Sequence, residues 1–194
     1  QDGKLMVLDA DREAIESFRR RLDRESPIVA KCITPIWTNY ADIGRVIRES
    51  DFGAPDAILA DLGISSDQLE DASRGLSFLK DGPLDMRLDQ SATLTAADIV
   101  NTYDERRIAE ILRTNAEERY ASRIARAIVK RRSEKSFLTT VDLADTICRT
   151  LGLSRRRNDH IHAATRTFMA LRMEVNDELG RLRVFLADAI GILA

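Results

Sequence analysis

Cysteine and histidine are scarce in this 194-residue sequence, with two of each. Cys32 and Cys148 lie far apart and have no metal-ligating neighbours, so a zinc site is disfavoured and a reducing compartment is the expectation. No apolar run approaches the roughly 20 residues that a membrane-spanning helix needs. Nucleophile–His–acid arrangements, Walker loops, internal repeats and low-complexity tracts are all missing. Gln1-Asp2-Gly3-Lys4 runs straight into Leu5-Met6-Val7-Leu8 with no signal peptide, and the lack of an initial Met suggests a fragment or a processed chain. What is present is an ordinary soluble composition, 44% hydrophobic and 32% charged, long enough for one domain or two small ones.

Net charge is −2 but unevenly spread. Arg113 to Arg172 holds 14 Arg and Lys against 6 Asp and Glu, a net of +8, which leaves 16 against 26 elsewhere. Such a split suggests a polyanion partner for the middle of the chain, against the plainer reading of solvated helix faces.

Hydrophobic periodicity predicts strand, helix, strand, helix, strand over the first 60 residues. Leu5–Leu8 reads as a buried strand ending at Asp9, and Asp11 as the cap of a helix carrying Ile15, Phe18 and Leu22. Ile28–Ile33 reads as a second strand, Ile43, Val46 and Ile47 as a second helix, and Ala57–Ala60 as a third strand ending on Asp61. This is a parallel α/β pattern. From Thr95 the pattern becomes helical, with caps at Thr95, Asp104 and Thr139, a helix from about Glu117 to Arg132, and one long final helix through Phe168, Leu171, Val175, Leu179, Leu182 and Leu186.

Between the two parts lies a long loop rich in specific polar groups: Arg74-Gly75-Leu76-Ser77-Phe78 and Asp81-Gly82-Pro83-Leu84-Asp85-Met86-Arg87. Loops of this length inside compact domains are usually functional or disordered, and Phe78, Leu84 and Met86 favour order. Asp9 and Asp61 stand at strand ends, where open α/β sheets bind ligands. Asp9 can accept ribose hydroxyls or cap a helix; Tyr40 can stack on a base or edge the core. Gln68 can contact a ligand or complete a capping box with Ser65, and Asp85 and Arg87 can orient a planar substrate or pair with each other. His162 and Arg166 open the last helix, where an anion is favoured, and Arg155-Arg156-Arg157 form a basic loop.

Several stretches together resemble the ribosomal RNA small subunit methyltransferase H family. They are Asp61-Leu62-Gly63-Ile64-Ser65-Ser66 with Gln68-Leu69, the Arg74-Gly75 and Asp81–Arg87 segments, Glu117-Glu118-Arg119-Tyr120 and Ile124–Ile128. His162–Phe168, Leu171-Arg172 and Val175–Leu179 complete the set, which covers nearly the whole chain. The resemblance implies a partial Rossmann-like methyltransferase sheet with an inserted all-helical domain: 1–94 for the cofactor domain, 95–174 for the RNA-facing insertion and 175–194 for the returning helix. It implies S-adenosylmethionine as methyl donor, held by Asp9, Tyr40, Asp61 and Gln68, and the exocyclic N4 amine of a small-subunit rRNA cytidine as acceptor. Asp85 and Arg87 are the candidate catalytic pair. Arg155, Arg156, Arg157, His162 and Arg166 are the candidate RNA contacts.

Relatives usually carry Phe at the Tyr40 position and Pro at the Ala163 position. The family's Gly-rich loop and its Ser-Phe-His-Ser motif belong before Leu5 and after Ala194, so the sequence resembles the middle of such an enzyme. A cytoplasmic or organellar-matrix location, no membrane, and a homodimer are the corresponding expectations. The competing readings are a dinucleotide oxidoreductase, for which no hydride-transfer site is seen, and a non-catalytic RNA-binding or interaction fragment.

Overall fold

The computed structural model describes residues 3–153 and 163–194. These divide into two compact units: a sheet unit of residues up to Leu62 with Leu88–Gln90 and Glu178–Ala194, and a helical unit of Gly63–Arg87 with Ser91–Asp177. The sequence boundary near Leu94 thus falls differently for the loop Gly63–Arg87, which packs with the helices.

In the sheet unit, strand β1 (Leu5–Asp9) pairs in parallel with β2 (Ile33–Trp37), Leu5 opposite Ile33 and Asp9 opposite Trp37. Between them run α1 (Arg12–Leu22) and the short α2 (Pro27–Lys31). Asp11 caps α1 as expected, accepting the Glu13 backbone N–H at 3.0 Å.

The second strand lies further along than the predicted Ile28–Ile33. Ser26 supplies an N-cap and Pro27 sits at a helix start, so the apolar Ile28-Val29-Ala30 stretch coils instead. Pro35 is tolerated within β2 because the Thr38 N–H reaches Asp9 O at 3.0 Å. By the period of two, Pro35 then faces away from the ladder and no bond is lost. Beyond β2, a 3₁₀ turn (Tyr40–Asp42) leads into α3 (Ile43–Glu49), which buries Ile43 against Phe185 and Ala189.

Residues 57–60 are not a strand. No neighbouring strand bonds to them among the described residues, and Leu59 is 95% exposed. An apolar run becomes a strand only where a ladder satisfies its backbone.

The helical unit begins with α4 (Ser66–Glu70) and a 3₁₀ turn (Ala72–Arg74). It continues through α5 (Ala96–Thr102), α6 (Glu105–Ala116), α7 (Ala121–Arg132), α8 (Thr140–Leu151) and α9 (Thr165–Val175). The predicted caps are in place: Thr95 with Asp98 as a capping box, Asp104 on the Arg107 N–H and Thr139 on the Asp142 N–H. Ile99, Ile108, Ile111, Leu112, Ile124, Ile128, Leu143 and Ile147 make the core, each under 2% exposed.

Two helix boundaries differ from expectation. The helix predicted from Glu117 starts at Ala121, because Glu117 adopts φ 49 and ends α6. The long final helix is two, α9 and, in the sheet unit, α10 (Glu178–Ile192). Asn176 caps α9 by donating to the Arg172 carbonyl at 2.8 Å, and Asp177 turns to φ 48, a region that Asp tolerates.

Candidate functional site

The loop Arg74–Arg87 takes its shape from backbone interlocking. Gly75 has φ 64, and a Cβ there would strike the Pro83 carbonyl oxygen; at Gly82 a Cβ would strike that of Ala72. Both positions therefore need glycine for close approach as much as for flexibility. The far arm of the loop is tied to the start of α8. The Thr140 N–H donates to Gly82 O at 2.9 Å, the Leu84 N–H to Leu138 O at 3.0 Å, and the Val141 N–H to the Asp81 carboxylate at 3.2 Å. The start of α5 does the same from another side, its Ala96 and Ala97 N–H groups donating to Asp85 O and Leu84 O at 2.8 Å. Helix N–H groups without intrahelical partners thus hold this loop in place.

At the centre Met86 is fully buried and takes φ 67, a costly conformation for a side chain of that size. Its N–H donates to Arg74 O at 3.0 Å, and its carbonyl accepts from Asn176 Nδ2 at 2.9 Å. The left-handed turn brings Asp85 and Arg87 face to face. Arg87 Nε reaches Asp85 Oδ1 at 2.8 Å and Nη2 reaches Oδ2 at 2.7 Å. The Arg87 N–H adds a third bond to Oδ1 at 2.9 Å, and Arg87 Nη1 donates to Ala92 O at 2.6 Å. The side chains are 15% and 21% exposed.

Burial alone would raise the Asp85 pKa. The hydrogen bonds and charge of Arg87, with the Arg74 charge nearby, outweigh it and hold the carboxyl below its ordinary value. Asp85 is thus a carboxylate fixed in direction and ionised at neutral pH, and Oδ2 keeps a lone-pair direction beyond the Arg87 bond. Such a group can accept a hydrogen bond from a substrate N–H. The pairing that the sequence left open is made, and it orients the carboxylate as well as neutralising it.

The remaining candidates are placed as follows. Gln68 completes a capping box: its Oε1 accepts from the Ser65 N–H at 2.9 Å, and its own N–H donates to Ser65 Oγ at 3.2 Å. In the sheet unit, Asp9 is exposed and its Oδ1 accepts from the Asp11 N–H at 2.8 Å. Tyr40 packs edge-on to Phe185 with centroids 5.6 Å apart, and its hydroxyl donates to Glu178 O at 3.1 Å. Asp61 is exposed at the start of the turn made by Gly63. Asp9, Tyr40 and Asp61 belong to the sheet unit; Gln68, Asp85 and Arg87 belong to the helical unit.

Arg166 is exposed on α9, with Nη1 3.5 Å from Glu117 O. Arg155, Arg156, Arg157 and His162 lie outside the described residues. An open cleft of about 400 Å³ between Lys4, Met6, Lys31, Thr34, Ile36 and Phe52 contains none of these candidates. No group of three or more metal-capable side chains occurs among the described residues, and none of their helices is long and apolar enough to cross a membrane.

Asn176 and Arg74 lie in stretches that stood out in the sequence, but neither was given a role there. Arg74 is 5% exposed beside the Asp85–Arg87 pair, and Asn176 anchors Met86. A hydrophilic residue between two apolar helical stretches was the available signal for Asn176.

This chain belongs to the MraW methylase family, whose model matches residues 1–194. Among curated relatives, the proteins named Ribosomal RNA small subunit methyltransferase H are similar to it throughout. That of Syntrophobacter fumaroxidans is 44% identical over 194 residues, 99% of this chain and 59% of the relative. That of Carboxydothermus hydrogenoformans is 43% identical over 192 residues, 99% of this chain and 60% of the relative. That of Mycobacterium avium is 45% identical over 194 residues, 98% of this chain and 49% of the relative. The chain therefore spans about half to three-fifths of the length of these relatives.

Proposed function

We propose that the chain is part of an S-adenosylmethionine-dependent methyltransferase acting on the exocyclic N4 amine of a cytidine in small-subunit ribosomal RNA. In this reading the helical unit is an insertion in a methyltransferase sheet. The observation that carries it is the Asp85–Met86–Arg87 turn: an ionised carboxylate, aimed by a bidentate guanidinium on a strained backbone. The names of the relatives supply the substrate class.

A cytidine amine is a weak nucleophile because its lone pair is delocalised into the ring. Asp85 accepts a hydrogen bond from that amine as it pyramidalises, which localises the lone pair, and Arg87 keeps the carboxylate from rotating away. The N4 proton released as the methyl group is added leaves along that hydrogen bond to Asp85 and on to water. The target base must leave its stack to reach such a group. When bound, S-adenosylmethionine supplies the electrophilic methyl group. The exposed carboxylates of Asp9 and Asp61 suit its hydroxyls and amines, and the Tyr40 ring suits its base. The Tyr40 hydroxyl already donates to Glu178 O, so its ring is the part left for such a contact.

The test is transfer of labelled methyl from S-adenosylmethionine to small ribosomal subunits, followed by nucleoside analysis for N4-methylcytidine. Asp85→Asn is expected to lower kcat at least tenfold while leaving cofactor affinity unchanged. Methylation at another atom, or an unaffected Asp85→Asn variant, overturns the assignment.

A further inference from the structure

Helix α7, Ala-Ser-Arg-Ile-Ala-Arg-Ala-Ile-Val-Lys-Arg-Arg, contains five basic residues and no acidic one. The two nearest its C-terminus have structural partners. Arg131 pairs with Asp142 and lies over the Phe137 ring, and Arg132 Nη1 donates to Val100 O at 2.8 Å. The others lie on the opposite, exposed side: Arg123, Arg126 and Lys130 recur at three- and four-residue spacing, so they form one row. Arg119, exposed in the turn just before the N-cap Tyr120, precedes the row in the chain.

Among the described residues no carboxylate lies within ion-pair distance of Arg119, Arg123 or Lys130. Arg126 has Glu105 at 3.4 Å and is 75% exposed. The nearby acids are largely committed elsewhere. Glu110 and Glu174 are held by Arg107, and Glu118 is buried and accepts from the Tyr120 N–H. Glu117 and Glu134 remain exposed at the two ends of the row.

Two more guanidinium groups gather at its start. Arg113 Nη2 donates to Ser122 Oγ at 3.0 Å and Arg166 Nη1 approaches Glu117 O, contacts that place their charge without neutralising it. In the sheet unit Arg12 pairs with Glu16, and Arg45 with Asp42 and Glu49, whereas Arg20, Arg24 and Lys31 have no carboxylate within ion-pair distance among the described residues and so serve as the matched comparison. Arginines at the N-terminal end of α7 also oppose its dipole, and an anion laid against them relieves that repulsion.

We propose that the exposed side of α7, from Arg119 through Arg123 and Arg126 to Lys130, with Arg113 and Arg166 at its N-terminal end, is a track for the phosphate backbone of RNA. The proposal rests on the ribosomal RNA reading above and adds residues other than Arg155, Arg156 and Arg157 to the candidate RNA contacts. The row reads charge and spacing, with no base contact needed, so it positions the RNA and leaves choice of nucleotide to the site.

The test is fluorescence anisotropy of a labelled RNA stem–loop against salt, with the 194-residue chain. Arg119→Ala/Arg123→Ala/Lys130→Ala should lower affinity roughly tenfold or more near physiological salt and flatten the log–log salt slope by about 2, from three lost phosphate contacts at ~0.7 each. The Lys,Lys,Lys version (R119K/R123K with Lys130 kept) should retain the slope, and Arg20→Ala/Arg24→Ala/Lys31→Ala should leave affinity within about twofold. Matching thermal unfolding keeps folding out of the comparison. If the first variant binds like the parent while the parent binds with a steep salt slope, the track is wrong and the RNA reading survives. Equal loss in the Arg20/Arg24/Lys31 variant also overturns the track, since net charge then suffices. A parent that binds no RNA even at low salt overturns both.

Discussion

The two units of this chain are held by different means. Among the described residues, eleven of the twelve largest fully buried side chains belong to the helical unit and one, Ile15, to the sheet unit. Both units expose some large apolar side chains, Leu59, Ile190 and Ile28 of the sheet unit at 95%, 79% and 78% and Leu79 of the helical unit at 82%. Since burial of apolar surface is the main favourable term in folding, stability should concentrate in the helical unit. The loop bearing Asp85 and Arg87 is fastened to that unit through Gly82, Leu84 and Met86, so the left-handed turn at Met86 stands on a well-packed part of the chain. Strain of this kind persists only where surrounding structure over-determines it.

The largest effect should come from emptying the helical core. Phe137 is fully buried, and Asn101 bonds both its carbonyl and its N–H at 2.8 Å. Phe137→Ala should cost about 3–5 kcal/mol. Far-UV circular dichroism follows mostly helices, whereas Trp37, the single tryptophan, reports on the sheet unit. The dichroism transition in urea should therefore shift strongly and the Trp37 fluorescence transition little. Coincident shifts of both probes would show one cooperative unit and erase the contrast.

The units also differ in how far sequence foretold them. Helix caps were readable because a cap is local: Thr95 with Asp98, Asp104, Thr139, and Ser65 with Gln68 all form where their spacing put them. Strands were readable only in part, because a strand is defined by its partner: Leu5–Leu8 forms β1 as expected, but two other runs do not behave as their composition suggests. Ile28-Val29-Ala30 has strand-forming composition but follows a Ser-Pro helix start, and Ala57–Ala60 has the right apolar run with no ladder to join. At the site, the chemistry of Asp85 and Arg87 was visible in their types and spacing, and so was their capacity to pair. The positive φ of Met86 was not, since nothing about methionine announces it; it follows from carbonyl and N–H bonds to Arg74 and Asn176, distant in sequence.

A second, smaller effect tests whether the loop shares the stability of the helical unit. Asp85→Asn removes the ionised acceptor of three Arg87 bonds and should cost roughly 1.5–3 kcal/mol at neutral pH. The sign of its pH dependence follows from the direction of the shift. A carboxyl with a depressed folded-state pKa contributes stability above its unfolded value, and that contribution is lost as pH falls through the folded value. Wild type and Asp85→Asn should thus differ fully at pH 7 and converge below the ordinary carboxylate pKa of 3.8. A difference that stays constant down to acid pH would mean that packing, rather than charge, sets the cost.

The smallest effect concerns Asn176, where α9 ends and the left-handed Met86 is held. Its Nδ2 donates to Met86 O at 2.9 Å and to Arg172 O at 2.8 Å, so one amide group both caps a helix and holds the turn between Asp85 and Arg87. Asn176→Ala removes both bonds and should cost about 1 kcal/mol, the net worth of such hydrogen bonds in a partly buried setting. Asn176→Asp keeps the size but replaces the donor by an ionised acceptor facing two carbonyl oxygens, so it should be the more damaging of the two. If Asn176 only capped α9, both variants would lower stability and leave the turnover of folded protein alone. Because it also sets the angle between Asp85 and Arg87, kcat for methyl transfer should fall several-fold in Asn176→Ala while the cofactor affinity holds. Asn176→Gln, whose longer amide can still donate, should recover part of that loss. An unchanged kcat in folded Asn176→Ala would reduce the residue to a helix cap and separate the strain at Met86 from the chemistry.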